Sequence, residues 1–238
     1  MSAPVKENTT FDRESVTKDL AALVTEIEED LHQRLEEGKI AVTRARAQFA
    51  KEAGHPAAGP EEEGWRAWLS EHLHPSELGP AQAYEELQAQ HRKRLAKNQT
   101  NQKWGNWLDE QLDQVAVSWV LSLTFLRYLE DHGYLRKSYV GGTDESRALA
   151  ENGRLAYLRE HDEHGEREFL LSIFAELALL PGCRDLFGKG HSPLWLVGPT
   201  SDGARRLWDA FREHDPATGV ARWSFNEVAT FLHTSPMS

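Results

Sequence analysis

Apolar residues recur at steps of three and four along much of the chain, which is the spacing of one face of an α-helix. In the first part, between Asp12 and about Ala53, this repeat predicts a long amphipathic helix that Gly38 bends or ends. The strongest repeat lies between Trp104 and His132, where apolar positions occupy most of the helix circumference. A helix that is apolar on nearly every side is expected to lie at the centre of an assembly of helices.

Glycine and proline divide the rest of the sequence into shorter helical segments. Loops are predicted near residues 54–64 and 74–80, and Gly133 is predicted to cap the central helix. The other predicted helices are Trp65–Leu73, Ala81 to about Asn98, Asp144–Arg159, Glu166–Leu180, Asp202 to about His214, and a short last helix begun by Ser224 and Glu227.

No segment shows the sustained alternation of apolar and polar residues that a sheet needs. The sequence therefore predicts an all-α fold, a multi-helix bundle or array around a central buried helix at about 104–132. Gly/Pro-rich loops are expected to connect the helices, without an extensive sheet.

The same pattern predicts how the chain is organised. A flexible N-terminus is expected at residues 1–12, followed by N-terminal amphipathic helices at 13–98. A central helical domain is expected at 99–220 and a C-terminal tail at 221–238.

Composition is typical of a globular protein. Hydrophobic residues make up 39% of the 238 residues, which is enough for a core. The longest apolar stretch, Val115–Leu126, is shorter than the roughly 18 to 20 residues that a membrane-spanning helix needs. Residues 1–13 lack the apolar segment of a secretory signal, so we expect a cytoplasmic protein without membrane contact. The single cysteine, Cys183, cannot form an internal disulfide and is interpreted as a buried hydrophobic residue.

Net charge restricts the partners to be expected. The chain has 27 basic and 38 acidic residues, and its net charge of −11 opposes binding of nucleic acid or anionic lipid over the whole surface. One window, Gln88–Leu108, contains five cations and no acidic residue. Two interpretations of this window stay open: contact with nucleic-acid phosphates, and stabilisation of a helix C-terminus by positive charge. Its cations are Arg92, Lys93, Arg94, Lys97 and Lys103.

Other polar clusters give weaker indications of chemistry. His161 and His164 have the spacing of a metal-binding pair, but a wholly polar run that contains Gly165 is more typical of a solvated turn. The segment Asp215–Glu227 resembles a calcium loop in outline, yet its oxygen ligands and its glycine fall at the wrong positions. Residues Phe187–His191 lack the ending of a phosphate-binding loop. The sequence therefore predicts no catalytic, cofactor-binding or metal-binding residue.

Three segments carry a family resemblance. Trp104–Gly133 begins with WGNWLDEQLDQVAVSW and ends with YLEDHG, His191–Arg205 has the sequence HSPLWLVGPTSDGAR, and Asp215–Gly219 is DPATG. In this order and spacing they resemble the N-terminal region of the PglX-type adenine-specific DNA methyltransferases of type 2 BREX, or phage growth limitation, defence systems. The resemblance is good from the first segment to the third and loose over Asp12–Asn98. After about Phe225 the tail diverges.

The resemblance implies the front module of a methyltransferase that uses S-adenosylmethionine. Such enzymes have a glycine-rich cofactor motif and an Asn/Asp-Pro-Pro-aromatic motif that holds the extruded adenine. This sequence has neither motif, and no two of its prolines are adjacent. We therefore expect no cofactor in this chain and no methylase activity by the chain alone. The expected partners are DNA, a separate methyltransferase half, or other proteins of the defence system.

Two alternatives stay open at this point. The first is a stand-alone helical adaptor that binds only protein, which the net charge of −11 favours. The second is a nonfunctional truncation remnant. The salt dependence of DNA affinity distinguishes a DNA-binding module from an adaptor, because each phosphate contact releases counterions.

Overall fold

The structure is a computed structural model that describes residues 13–53, 64–214, 221–223 and 225. Over these ranges the chain forms eight α-helices and no β-strand, and a single β-bridge joins His214 to Ala221. The all-α fold predicted from the sequence is confirmed. The helices are α1 (Arg13–Ala53), α2 (Trp65–His72), α3 (Pro75–Ala96), α4 (Trp104–Asp131), α5 (Asp144–Glu160), α6 (Glu166–Leu177), α7 (Arg184–Phe187) and α8 (Ser201–Ala210), with a 3-10 helix at Pro193–Trp195 before α8.

Several predictions concern residues outside these ranges. The predicted flexible N-terminus at 1–12, most of the predicted loop near 54–64 and most of the tail at 221–238 lie outside the described residues. The short last helix that Ser224 and Glu227 were expected to begin lies outside them as well. The proposed domain boundaries stay predictions.

The first helix is continuous over 41 residues, so Gly38 does not end it. Gly38 is buried where α1 meets α3, and a Cβ atom there would overlap the carbonyl oxygen of Pro80. The glycine therefore permits a close approach between two helices instead of interrupting one. As predicted, the apolar face of α1 packs into the core, where Ile27, Leu31 and Leu35 are buried.

The predicted loop near residues 74–80 is also wrong, because α3 already begins at Pro75. His74 caps this helix by accepting a hydrogen bond at 3.3 Å from a backbone amide of the first turn. Pro75 occupies the first helical position, where its missing N–H would have had no partner within the helix. Pro80 lies inside the helix and removes one intrahelical hydrogen bond. Packing along α1 offsets this loss, and the neighbouring Ala81 is fully buried.

The central position predicted for the third long helix is confirmed. α4 packs against α1, α3, α7 and the 3-10 helix. Its buried Trp119 donates a hydrogen bond from Nε1 to the carbonyl oxygen of Leu194 at 3.2 Å. One side of α4 stays open, because Val117 and Leu121 are 39% and 48% exposed. Gly133, with φ of +68°, follows the end of the helix as predicted.

The start of α8 is fixed by a contact with α1. Thr200 caps the helix, two residues before the predicted start at Asp202. Its Oγ1 accepts a hydrogen bond from the Gly203 amide at 2.9 Å. The buried Asp30 of α1 accepts hydrogen bonds from the Thr200 amide at 2.7 Å and from the Thr200 hydroxyl at 2.6 Å. The cap thus depends on a residue that is remote in the sequence.

A buried arginine holds the segment before α8 against α1. The Arg34 guanidinium donates hydrogen bonds to the carbonyl oxygens of Gly198 and Pro199, the second at 3.0 Å. Burial, together with the charge of Arg167, lowers the pKa of Arg34 to about 10. Arg167 also donates to the Pro199 carbonyl oxygen, at 3.3 Å. Main-chain carbonyl groups therefore solvate positive charges that the fold removes from water.

Two clusters of buried apolar side chains form the core. The larger cluster surrounds α4 and includes Trp119 and Trp208. The smaller one joins the C-terminal half of α1 to α2 and α3, through Val42 and Trp65. Cys183 is buried, as predicted. Among the described residues, none of the helices combines the length and the apolar character needed to cross a membrane.

Candidate nucleic-acid interface

The five cations of the basic window lie where α3 leads into α4, and they define what we call the α3–α4 corner. Arg92, Lys93 and Arg94 belong to the last part of α3, Lys97 is its C-cap residue, and Lys103 is the N-cap residue of α4. All five residues are exposed. The structure therefore places the predicted phosphate-binding residues close together in the fold and open to solvent.

A left-handed residue turns the chain sharply between the two helices. Asn98 has φ of +54°, and its amide donates to the Leu95 carbonyl oxygen at 3.0 Å. The amide of Gln99 donates to the Arg94 carbonyl oxygen at 2.9 Å. This is a Schellman cap with asparagine in place of the usual glycine. The end of the helix near Asn98 is thus as predicted, and the connection to α4 is short.

Packing around His91 orders this connection. His91 is buried, its Nε2 lies 3.0 Å from the Gln102 carbonyl oxygen, and its ring lies 5.1 Å from the ring of Trp107. Gln102 in turn donates from Nε2 to a carboxylate oxygen of Glu110 at 3.0 Å. Aromatic packing and hydrogen bonds therefore fix the corner, so its cations are not needed to hold it in place.

The five cations lack carboxylate partners. In the part of the chain that the structure describes, no carboxylate oxygen lies within 4.0 Å of a charged nitrogen of any of them. The Arg94 guanidinium lies 5.8 Å from the centre of the Trp107 ring. Lys93 and Lys97 stand four residues apart, a spacing at which like charges repel. Positive charge also suits the end of α3, because Lys93 and Arg94 occupy its last turn.

A groove of about 360 Å³ adjoins the α3–α4 corner and shares Arg94 with it. It lies between α3, α4 and the segment around the 3-10 helix, and no carboxylate is among its lining residues. The lining residues are Gln90, Arg94, Gln111, Gln114, Gly190, His191, Ser192, Pro193, Trp195 and Leu196.

The wall of this groove that comes from residues 189–196 is anchored to the core. Trp195 donates a hydrogen bond from Nε1 to the Phe187 carbonyl oxygen at 2.7 Å. The amino group of Lys189 lies 4.8 Å from the centre of the Trp195 ring, close enough for a cation–π interaction. Sequence reasoning missed this wall, because its glycines indicated only a loop.

The other sequence candidates stay separate from the corner. The rings of His161 and His164 stack at 4.9 Å, and the Tyr157 hydroxyl lies 2.8 Å from Nδ1 of His164. Among the described residues, no group of three or more histidine, cysteine, aspartate or glutamate side chains is arranged to hold a metal ion. Burial raises the pKa of the Cys183 thiol. The predicted failure of a calcium site at 215–227 concerns residues that mostly lie outside the described ranges.

Comparisons with known proteins give one informative similarity. No protein-family model and no solved structure matches the chain. Over 130 residues the chain is 37% identical to the adenine-specific methyltransferase PglX of Streptomyces coelicolor. The match covers 54% of this chain but only 11% of the methyltransferase. The chain is therefore similar to a small part of a PglX adenine-specific methyltransferase, as its sequence motifs predict.

Proposed function

We propose that the chain is a non-catalytic helical module of a PglX-like adenine-specific DNA methyltransferase in bacterial anti-phage defence, and that it binds DNA through the α3–α4 corner. The similarity to PglX supports the association with a DNA methyltransferase. The observation that carries the DNA contact is the set of five exposed cations without carboxylate partners among the described residues.

Electrostatics confines this contact to the corner. With a net charge of −11, most of the surface repels a polyanion. Phosphate binding needs several cations that are not neutralised by carboxylates, and the corner supplies them beside a turn that packing holds in place. The contact is expected to give affinity and orientation, because phosphates carry no sequence information.

The salt dependence of binding tests the DNA contact. We expect labelled duplex DNA to bind with a log-log salt slope of about −4.5 if all five cations touch phosphates, since each contact contributes about −0.9. Fluorescence anisotropy at several salt concentrations measures this slope. Replacing the five cations by alanine one after another is expected to make the salt slope less negative at each step.

A control variant that loses five other cations distinguishes phosphate contacts at the α3–α4 corner from a general effect of net charge on DNA affinity. Replacing five other exposed cations by alanine should leave the slope nearly unchanged. Absence of binding at ~50 mM salt would instead favour an adaptor that binds only protein. The control residues are Lys18, Lys51, Arg136, Arg159 and Arg184.

The non-catalytic assignment has a separate test. The purified chain is incubated with DNA and labelled S-adenosylmethionine, with and without a separately expressed methyltransferase polypeptide of the PglX type. We expect no methyl transfer by the chain alone, because its sequence lacks both motifs that the chemistry needs. Methylation by the chain alone would overturn this part of the proposal.

A further inference from the structure

One wall of the groove beside the α3–α4 corner carries a side-chain amide without a hydrogen-bond partner among the described residues. Gln111 is only 8% exposed and lines the groove. Within the described residues its side chain makes no hydrogen bond, whereas its neighbour in the groove, Gln90, donates to Glu86 at 3.4 Å. The Gln111 amide is therefore open to the groove, where a ligand can supply its hydrogen bonds in place of water.

The groups around Gln111 indicate the chemistry of that ligand. Gln114 provides a second amide, and the Trp195 ring is half-buried in the opposite wall. Arg94 lines the groove and Lys189 lies over Trp195, so positive charge stands at two places on its border. Because no carboxylate lines the groove, these cations favour an anionic ligand.

A nucleotide unites these requirements. A carboxamide presents a donor and an acceptor side by side, which matches the hydrogen-bonding edge of a nucleobase. Tryptophan offers a surface for the face of a base, and arginine or lysine suits the phosphate. The volume of about 360 Å³ is at the small end of the range for ligand sites and suits one nucleotide better than a duplex.

The continuity with the corner indicates that the nucleotide belongs to a strand. Arg94 belongs both to the basic window and to the groove lining. A strand whose phosphates follow the corner would therefore pass the mouth of the groove. A base that is stacked and paired in a duplex does not enter such a cleft, whereas an unpaired base does.

We propose that this groove binds an unpaired nucleotide of a DNA strand whose phosphates contact the α3–α4 corner. Gln111 bonds the edge of the base, Trp195 contacts its face, and Arg94 and Lys189 bind adjoining phosphates. This inference rests on the proposed DNA contact and adds the form of DNA that is bound.

The test compares DNA substrates that differ only in pairing. Anisotropy is measured with a full duplex, with the same duplex containing a short single-stranded gap, and with the single strand. We expect the gapped duplex to bind at least about 10-fold more tightly than the full duplex. Gln111→Leu should abolish that preference and leave the affinity for the full duplex unchanged. Gln82→Leu, at an exposed position of α3 outside the groove, is the matched control.

Two further variants keep the test decisive. Trp195→Phe retains a ring but loses stacking area, and it should weaken the preference only in part. If Gln111→Leu fails to fold, as judged by circular dichroism, Gln111→Glu serves instead, because its carboxylate keeps the size but repels phosphate. Loss of the preference in Gln111→Glu supports the inference.

The outcomes distinguish this inference from the proposed function. Equal affinity for the full and gapped duplexes overturns the inference and leaves the phosphate contact standing. A preference for gapped DNA that persists in the folded Gln111 variants overturns the assignment of the groove. Absence of binding to every DNA overturns the proposed function and the inference together.

Discussion

In the contact between α1 and α8 the arginines meet acceptors within the chain, whereas at the α3–α4 corner none of the five cations meets a carboxylate of the described residues. Arg206 lies 2.6 Å from a Glu26 carboxylate oxygen and 3.3 Å from one of Asp30. Arg34 donates to two carbonyl oxygens before α8. At the corner, by contrast, Arg92 and Lys93 extend into solvent.

The contrast separates charges that stabilise the fold from charges that do not. Removing a charged side chain from the α1–α8 contact should leave buried polar groups without hydrogen-bond partners. It should therefore lower the free energy of unfolding. Removing charge from the corner should barely affect the fold, because exposed side chains without partners contribute little. Substitutions in the two regions, and in α5 for reference, should therefore differ in their effect on stability.

The largest loss of stability is expected for Asp30→Ala. The substitution leaves the Thr200 amide and hydroxyl without their acceptor and leaves Arg206 without one of its two partners. We expect the free energy of unfolding to fall by about 3 kcal/mol, measured by urea denaturation. Glu36→Ala, which breaks the exposed pair with Lys39, is the control and should leave the free energy of unfolding nearly unchanged. Equal effects of the two changes would contradict the comparison.

Two glycine-to-alanine substitutions should have opposite signs. A Cβ at Gly203 of α8 would lie 2.5 Å from a carboxylate oxygen of Asp30, so Gly203→Ala should destabilise the chain by about 2 kcal/mol. At Gly153 of α5 a Cβ would meet nothing within 4 Å, so Gly153→Ala should raise stability by about 0.8 kcal/mol. Thermal unfolding of both variants measures the difference. A neutral Gly203→Ala would show that α1 and α8 are not tightly packed there.

Acidification should weaken the ion pairs of α5, which resemble those of the α1–α8 contact in meeting partners within the chain. Hydrogen bonds from Arg154, with further help from the charge of Arg212, hold the pKa of Glu151 below its ordinary value although burial opposes this. The unfolded chain therefore binds a proton at higher pH than the folded chain, so this stabilisation is present above about pH 4.5 and is lost as pH falls through the folded pKa. Glu151→Gln should make the free energy of unfolding less dependent on pH below 5, by less than about 1 kcal/mol. An unchanged pH dependence would contradict the assigned role of Glu151.

The smallest effect on stability is expected at the corner. Replacing Lys93 and Lys97 by glutamine removes their mutual repulsion and also removes charge that favours the C-terminus of α3. We expect the two effects to cancel, so that the free energy of unfolding changes by less than about 0.5 kcal/mol, measured by thermal unfolding. A loss above about 1 kcal/mol would favour the helix-end interpretation of the basic window over phosphate binding.

The sequence was sufficient where local pattern decides structure. The central helix and the glycine cap at Gly133 follow from apolar spacing and from the φ angle that glycine allows. Gly38 and Pro80 misled the prediction because both residues interrupt isolated helices. In the folded chain the absent Cβ of Gly38 lets the Pro80 carbonyl group approach, a tertiary contact that helix propensity does not include.

The candidate site was predicted only in part for the same reason. The five cations are neighbours in sequence, so the window that contains them is visible without a structure. Gln111 belongs to α4, whereas Lys189 and Trp195 belong to a much later segment, and the groove exists only because that segment around the 3-10 helix packs on α4. A glutamine, a lysine and a tryptophan at these positions form no sequence motif, so nothing in the sequence indicates such a site.

The hydrogen bonds between Asp30 and Thr200 also bear on how the chain folds. They join residues that are 170 positions apart, so α1 gains these partners only after nearly the whole of the described chain has emerged from the ribosome. Such long-range contacts slow folding, because a large loop must close before they form. A fragment that stops before Gly198 would leave Asp30 without the Thr200 donors and Arg34 without its carbonyl acceptors, and we expect it to be captured by chaperones or degraded.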